Sequence, residues 1–266
     1  MYDSFNRNIN YLRVSVTDRC NLRCTYCMPE CGVETMSHDQ ILSYEEILDV
    51  VQFAVNHGVT KIRITGGEPL VRKGIVSFVE SLASINGIAD LSMTTNGLLL
   101  NRFARPLALA GLKRINISLD TVDPDRYREI TRLGQIEDVF RGIEAAREAG
   151  LDPIKINCVV RTSSDEPDAL AVREFCEHNG LIVRFIRQMI LEAGQFSIVE
   201  GGEGGNCSNC NRIRLTANGD LKPCLFTDLA YNIREMGIAQ AYNAAIMNKP
   251  ACGSINMSNQ FSNIGG

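Results

Sequence analysis

Short β-rich runs alternate along this chain with amphipathic helical patterns. Residues 11–16, 61–65, 91–95, 114–119, 154–160 and 183–187 are apolar, β-branched stretches that read as strands. The segments 44–57, 75–85, 102–110, 136–149 and 166–178 read as amphipathic helices. The first opens after Ser43 with Glu46 three positions on, a capping box, and stops at Gly58; later ones stop at Gly111, at Gly150 and near Gly180. Six strand–helix units in strict alternation predict an α/β fold whose parallel sheet has helices on one face or around it. Six units are too few for a closed eight-fold barrel, so the expected architecture is a curled, open, six-unit partial β/α barrel. Ligands in such sheets sit at the carboxyl ends of the strands, where the following loops converge.

That end of the sheet collects polar signals. After the second strand comes Thr65-Gly66-Gly67-Glu68-Pro69-Leu70, two glycines that let backbone approach a ligand and a carboxylate that can accept from an ammonium. Thr94-Thr95-Asn96-Gly97 ends the third strand and Ser118-Leu119-Asp120 the fourth. Residues 190–206 change character: their glycines read as a flexible connector between a domain at 1–189 and a smaller one at 207–266. Beyond it, Asn218-Gly219 between two β-rich runs, 212–216 and 221–225, predicts a hairpin.

Composition narrows the function. A chain of 266 residues with 45% hydrophobic and 22% charged residues has the makeup of an ordinary globular protein with a sizeable core. Its net charge of −4 argues against a general nucleic-acid binder, so an anionic substrate must be met by a local basic pocket. The start lacks the apolar core of a signal peptide and no membrane-length apolar run follows. Ten cysteines without a secreted scaffold's pattern then suggest a cytoplasmic protein whose reduced thiols are available to metal.

The cysteines carry the chemistry. Cys20, Cys24 and Cys27, spaced Cys-x3-Cys-x2-Cys, follow directly on the first strand. Three thiolates at that spacing suit three irons of a [4Fe–4S] cube and leave one iron open to a small molecule. A zinc site would want a fourth ligand, and only Cys31 lies near. A second trio, Cys207, Cys210 and Cys224, lies beyond the connector, with the hairpin carrying Cys224 back beside the pair. At this second site a structural zinc ion completed by Cys252 stands as the alternative to a second cluster.

The first loop, with Tyr26 before its last cysteine, resembles the radical S-adenosylmethionine (radical SAM) superfamily. Adding Cys207, Cys210 and Cys224, the run Cys210-Asn211-Arg212-Ile213-Arg214-Leu215 and the terminal Ile264-Gly265-Gly266, residues 7–189 and 206–266 resemble the GTP 3′,8-cyclase family, the first step of molybdenum cofactor biosynthesis. The resemblance implies a radical SAM partial barrel with a small C-terminal iron–sulfur extension, two [4Fe–4S] clusters and SAM. It places Tyr26, Gly67, Ser118 and Met189 at SAM, and Arg13, Arg63, Thr94, Lys155, Arg212 and Arg214 at GTP, with the second cluster's open iron on the guanine base. It assigns Arg13, Gly265 and Gly266 to catalysis. It also implies an electron donor, cyclic pyranopterin monophosphate synthase as the downstream enzyme, and room for a homodimer.

Several cations projecting from strand ends into one pocket agree with a triphosphate ligand. Two departures from the family pattern stand out. The chain is short between Met189 and Cys207, and Arg187 stands where an acidic residue is usual. They keep two alternatives open: a radical SAM enzyme acting on a peptide, and a non-enzymatic metal-binding scaffold.

Overall fold

The computed structural model describes residues 1–257. Its strands are β1 (Tyr11–Ser15), β2 (Lys61–Thr65), β3 (Asp90–Thr95), β4 (Arg114–Ser118), β5 (Ile154–Val160), β6 (Ile182–Arg187), β7 (Arg212–Leu215), β8 (Asp220–Lys222) and β9 (Tyr231–Asn232). The helices are α1 (Tyr44–Asn56), α2 (Ile75–Ala83), α3 (Leu100–Leu109), α4 (Pro124–Thr131), α5 (Ile136–Glu148), α6 (Pro167–His178), α7 (Ile233–Met236) and α8 (Ile238–Met247). One sheet runs β6-β5-β4-β3-β2-β1-β7-β8-β9, parallel from β6 through β7 and antiparallel beyond. The six expected strands are present, the first five each followed by a helix and β6 by β7, and the sheet ends in two edges, β6 and β9, as an open rather than a closed barrel does.

The strands alternate, and the alternation decides which side is packed. Leu12 and Val14, Ile62 and Ile64, Met93, Ile115 and Ile117, and Ile156 join one core with helix residues such as Val50, Phe78, Leu107, Ile143 and Val172. Strand residues of opposite parity face the other way, because successive side chains point to opposite faces. That second face is polar. Along it Arg214, Arg13, Arg63, Ser92 and Arg114 stand side by side on five neighbouring strands, and Thr94, Asn116 and Lys155 form the next row.

The sheet curls around this polar face. Arg184 of β6 and Arg212 of β7 are six strand spacings apart, about 29 Å in a flat sheet. Their charges nonetheless repel one another enough to help burial and Arg114 lower the pKa of Arg184. At screened distances of that order they would not.

Local signals hold where the sequence places them. Ser43 caps α1 reciprocally, its Oγ accepting from Glu46 N at 3.1 Å while Glu46 Oε2 accepts from Ser43 N at 2.7 Å. The hairpin joins β7 to β8, with Gly219 in the left-handed region at φ +97°. Sequence reading missed α4, a polar eight-residue helix that buries only Tyr127 and Thr131. Its one signal is Asp123, whose carboxylate caps Arg126 N, followed by Pro124 at the first helical position.

Residues 190–206, expected as a flexible connector, carry hydrogen bonds of their own. Glu200 exchanges both backbone bonds with Phe185 at the free edge of β6, and Ile190 does so with Gln195. Leu191 is buried with Leu225 and Phe226, and the Phe196 ring packs at a tilt on Phe226 with centroids 4.5 Å apart. Gly194 and Gly205 are required by close approach: a Cβ would fall 2.0 Å from Ser254 O and 1.9 Å from Ser197 O. Among the described residues no helix is long and apolar enough to cross a membrane.

Candidate active site

Cys20, Cys24 and Cys27 occupy the loop that leaves the carboxyl end of β1. The loop is shaped by backbone bonds: Cys24 O accepts from Cys27 N at 2.9 Å and from Met28 N at 3.1 Å. It is pinned to the end of α4, where Thr131 O and Ile130 O accept from Arg23 N and Thr25 N. Arg132, at φ +65°, completes the clasp by donating to Arg23 O and Met28 O. Burial pushes all three thiols up, Cys27 to about 11, so without metal they hold their protons and iron must displace them. Cys31 stands apart, exposed, its thiol on Gly32 O.

Among the described residues no three His, Cys, Asp or Glu side chains are gathered as one bound ion requires. A cube takes each thiolate on its own iron, so its ligands stand further apart than the four around zinc. Three cysteines in one loop therefore fit a multi-iron cluster better than a zinc ion.

The Gly66-Gly67-Glu68 turn docks on this loop. Gly67 N donates to Thr17 O at 2.7 Å and Glu68 N to Arg19 O at 2.8 Å. A Cβ on Gly67 would fall 2.3 Å from Arg19 O and 2.7 Å from Asp18 O. The backbone that Gly67 admits is thus the cysteine loop itself. Gly67→Ala is expected to cost about 1–3 kcal/mol through overpacking against atoms that cannot swing aside. Urea unfolding and iron content together check this, and an unchanged midpoint with full iron would sink it. Glu68 is buried and already accepts from Thr95 Oγ1, Asn96 N and Leu70 N. Burial pushes its pKa up to about 7 despite those bonds.

Beside the loop, Tyr26 OH donates to Asp120 Oδ2 at 2.7 Å, and Asp120 Oδ1 accepts from Val159 N at 2.8 Å. Burial raises Asp120 to about 6 and lifts the Tyr26 phenol as well. Tyr26, Asp120, Val159, Arg161 and Gln188 line a cleft there. Ser118 ends β4 opposite Asn157 of β5. Met189 packs toward Leu191 and Phe226, while its neighbour Gln188 reaches the cleft.

The polar face brings together every cation expected at the substrate. Arg13 and Arg214 are depressed by burial first and by neighbouring arginines next; Lys155 is depressed by burial, then by Arg184, Arg114 and Arg63. Arg63 donates weakly to Ser92 Oγ, and both Arg63 and Arg212 lie over the Tyr11 ring. Arg212 Nη2 also donates to Glu203 O. Thr94 Oγ1, Asn116 Oδ1 and Arg184 Nε are buried without a hydrogen-bond partner. Buried polar atoms of this kind belong beside a ligand or water. Sequence reading missed Arg114, Asn116 and Arg184. Their signal was parity, since each shares its strand face with Arg13, Arg63 or Lys155.

The second trio lies across the face, where β7 adds to β1. Lys249, buried, donates to Arg212 O at 2.7 Å and Pro223 O at 2.6 Å and so ties the strands' flanks together. Burial opposes ionisation of Cys210, but the Lys249 ammonium and the Arg212 N–H outweigh it and lower its pKa. Gly253 lies against Cys224, and the Cys252 thiol is 3.1 Å from Cys207 Sγ. The donor set is all sulfur, the ligand class of iron–sulfur clusters and of structural zinc alike. Gly265 and Gly266 lie outside the described residues.

The chain is similar to known proteins in sequence and in fold. The radical SAM superfamily matches residues 14–176. A GTP 3′,8-cyclase of Thermodesulfovibrio yellowstonii is 44% identical over 282 residues, covering 89% of this chain and 88% of that one. One from Moorella thermoacetica is 40% identical, covering 94% of each. The first alignment spans more positions than this chain's own 266 residues, so that relative carries residues that this chain lacks. Among solved structures, Streptococcus suis SuiB bound to S-adenosylmethionine superposes with TM-score 0.67 at 16% identity, over 92% of this chain and 65% of that one. Native anSMEcpe with bound AdoMet gives TM-score 0.67 at 18% identity, over 90% and 81%. With a cysteine loop, a docked Gly-Gly turn and relatives of this identity over most of its length, the chain belongs to the radical SAM superfamily and, within it, to the GTP 3′,8-cyclase family.

Proposed function

We propose that the protein converts GTP to (8S)-3′,8-cyclo-7,8-dihydroguanosine 5′-triphosphate, the first step of molybdenum cofactor biosynthesis. The observation that carries the reading is the crowd of cations on the inner face: burial first and neighbouring charges next, those of Arg114 and Arg212 among them, depress Arg13, Arg63, Lys155, Arg184 and Arg214. Arg114 on this face is ion-paired with Asp90. A triphosphate matches this positive face in charge, and arginine forks suit its oxygens.

Cys20, Cys24 and Cys27 would hold a [4Fe–4S] cluster, which when bound would supply the one-electron chemistry that activates SAM. Tyr26, Gly67, Ser118 and Met189 frame the SAM side, with the Tyr26 ring held in place by Asp120. Arg13, Arg63, Thr94, Lys155, Arg212 and Arg214 hold GTP, so that C3′ of the ribose faces SAM and the base faces a second [4Fe–4S] cluster on Cys207, Cys210 and Cys224. The protein's own contribution is placement and exclusion of water from a radical path. Residues 1–189 carry the SAM side, 190–206 the connector and 207–266 the second site. Gly265 and Gly266 take part in catalysis on this reading. The reaction belongs in the cytoplasm, with an electron donor, room for a homodimer, and cyclic pyranopterin monophosphate synthase taking the product.

The test is anaerobic turnover of reconstituted protein with SAM, reductant and GTP, followed by mass spectrometry for the cyclised nucleotide. Lys155→Met should raise KM for GTP by roughly 10- to 100-fold, the worth of a charge-assisted bond. SAM cleavage that leaves GTP unchanged would sink the assignment.

A further inference from the structure

Resting on the reading of GTP as substrate, we propose that Tyr11 is a further substrate-binding residue, its phenol donating to a phosphate oxygen of the triphosphate while its ring sets the Arg63 and Arg212 forks. Tyr11 opens β1 two positions before Arg13, so both side chains leave the strand on the polar face. In register it stands between Lys61 of β2 and Arg212 of β7, one row nearer the amino ends than Arg13, Arg63 and Arg214. The side chain is buried, only 9% exposed, yet it does not belong to the apolar core that the strands share with the helices. What surrounds it is charge. Arg63 Cζ lies 5.4 Å and Arg212 Cζ 5.7 Å from the ring centroid, within the range of a cation–π contact. The phenol oxygen is also within electrostatic reach of Arg13, Arg184 and Arg214.

That hydroxyl is buried without a hydrogen-bond partner. Tyr44, Tyr127 and Tyr242 also keep unpaired phenols, but theirs are on helices packed into the apolar core. Tyr11 shares its condition with Thr94 Oγ1, Asn116 Oδ1 and Arg184 Nε on the polar face. A phenol has one O–H to donate, and guanidiniums, being donors only, cannot take it. The acceptor has to be brought in, and the setting favours an anion that accepts from phenol and arginines together. The backbone holds Tyr11 ready for it. Tyr11 N donates to Asn211 O at 3.2 Å, and the preceding Asn10 O accepts from Thr60 N at 3.0 Å and Lys61 N at 3.1 Å. Asn211 Nδ2 joins the two segments by donating to Asn10 Oδ1 at 2.8 Å. A side chain on so fixed a strand start loses little freedom when the ligand arrives.

Anaerobic calorimetric titration of the full-length, iron-reconstituted protein with GTP and with inorganic triphosphate, at one ionic strength, tests this. Tyr11→Phe keeps the ring and removes the hydroxyl alone. It should weaken both ligands about tenfold, the loss of one hydrogen bond to a charged acceptor. Tm without ligand should not fall, because the hydroxyl removed has no partner in the free protein. Tyr11→Leu, which removes the ring as well, should weaken both ligands by about two- to fivefold more. If Tyr11→Phe binds both ligands like the parent, the proposal is overturned and the GTP reading stands. A loss confined to GTP, with inorganic triphosphate bound as before, puts the hydroxyl at the base or ribose and overturns it too. Affinity lost together with a lower Tm marks a packing role and does the same. Equal affinities of Tyr11→Leu and Tyr11→Phe overturn the part assigned to the ring. A parent protein that binds neither ligand brings down the GTP reading itself, and the role of Tyr11 with it.

Discussion

Cys24→Ala is expected to abolish reductive cleavage of SAM, with 5′-deoxyadenosine below detection, while leaving the fold in place. The loop does not depend on the Cys24 side chain for its shape. Its turn is made by Cys24 O with Cys27 N and Met28 N, and its anchorage by Thr25 N, Arg23 N and Arg132. Removing a small sulfur from a partly buried position costs on the order of 1 kcal/mol. The cluster, by contrast, loses one of three ligands in a site with no fourth thiolate to spare, since Cys31 points away onto Gly32 O. Iron content should fall by about half if each trio holds one cluster. Cys31→Ala, the matched control, should change neither iron nor SAM cleavage. Residual turnover in Cys24→Ala would mean that the loop is not the site of reduction.

Arg7→Ala should produce the largest loss of stability of any single substitution outside the core. The Asp3 carboxylate has no exposed surface, and burial works against its charge; hydrogen bonds from Arg7 and Phe5 outweigh that and hold its pKa down. Without Arg7 the carboxylate is left buried and unpaired, and three carbonyls lose their donor. Breaking a buried pair in this way costs about 3–5 kcal/mol, a fall in Tm of roughly 10 °C for a chain of this size. The damage should also be local to the second site, because the carbonyls released belong to Cys207 and to the segment bearing Cys252. Iron on the first trio should persist while iron on the second is lost. Arg7→Lys keeps the charge but not the fork, so it should fall between the two. A Tm within about 2 °C of the parent would show that the clamp contributes little.

Much of the fold was legible because its signals are local. Glycine stops, the Ser43–Glu46 box and the Asn218-Gly219 turn act over a few residues, and each appears in the structure where it was read. The spacing of Cys20, Cys24 and Cys27 is local in the same sense: one short loop must bring three sulfurs to one cluster, so their order along the chain is nearly their order in space. Helix α4 escaped because it is short and polar, with only Tyr127 and Thr131 buried, and 190–206 was read by its glycines alone. There the positive φ values serve close backbone contacts, which composition cannot distinguish from freedom.

The sequence by itself determined that strands and helices alternate, that two cysteine trios exist, and that cations lie within apolar strands. Tertiary structure alone decided that Arg214, Arg13, Arg63 and Arg114 stand in one row, since that depends on strand order and register between residues up to two hundred positions apart. It alone set Gly67 against Arg19 O, Arg7 under Cys207, and Cys252 against Cys207. The reason is physical. Backbone preferences are written residue by residue, whereas which side chains meet is fixed only when the sheet curls and its polar face closes on itself.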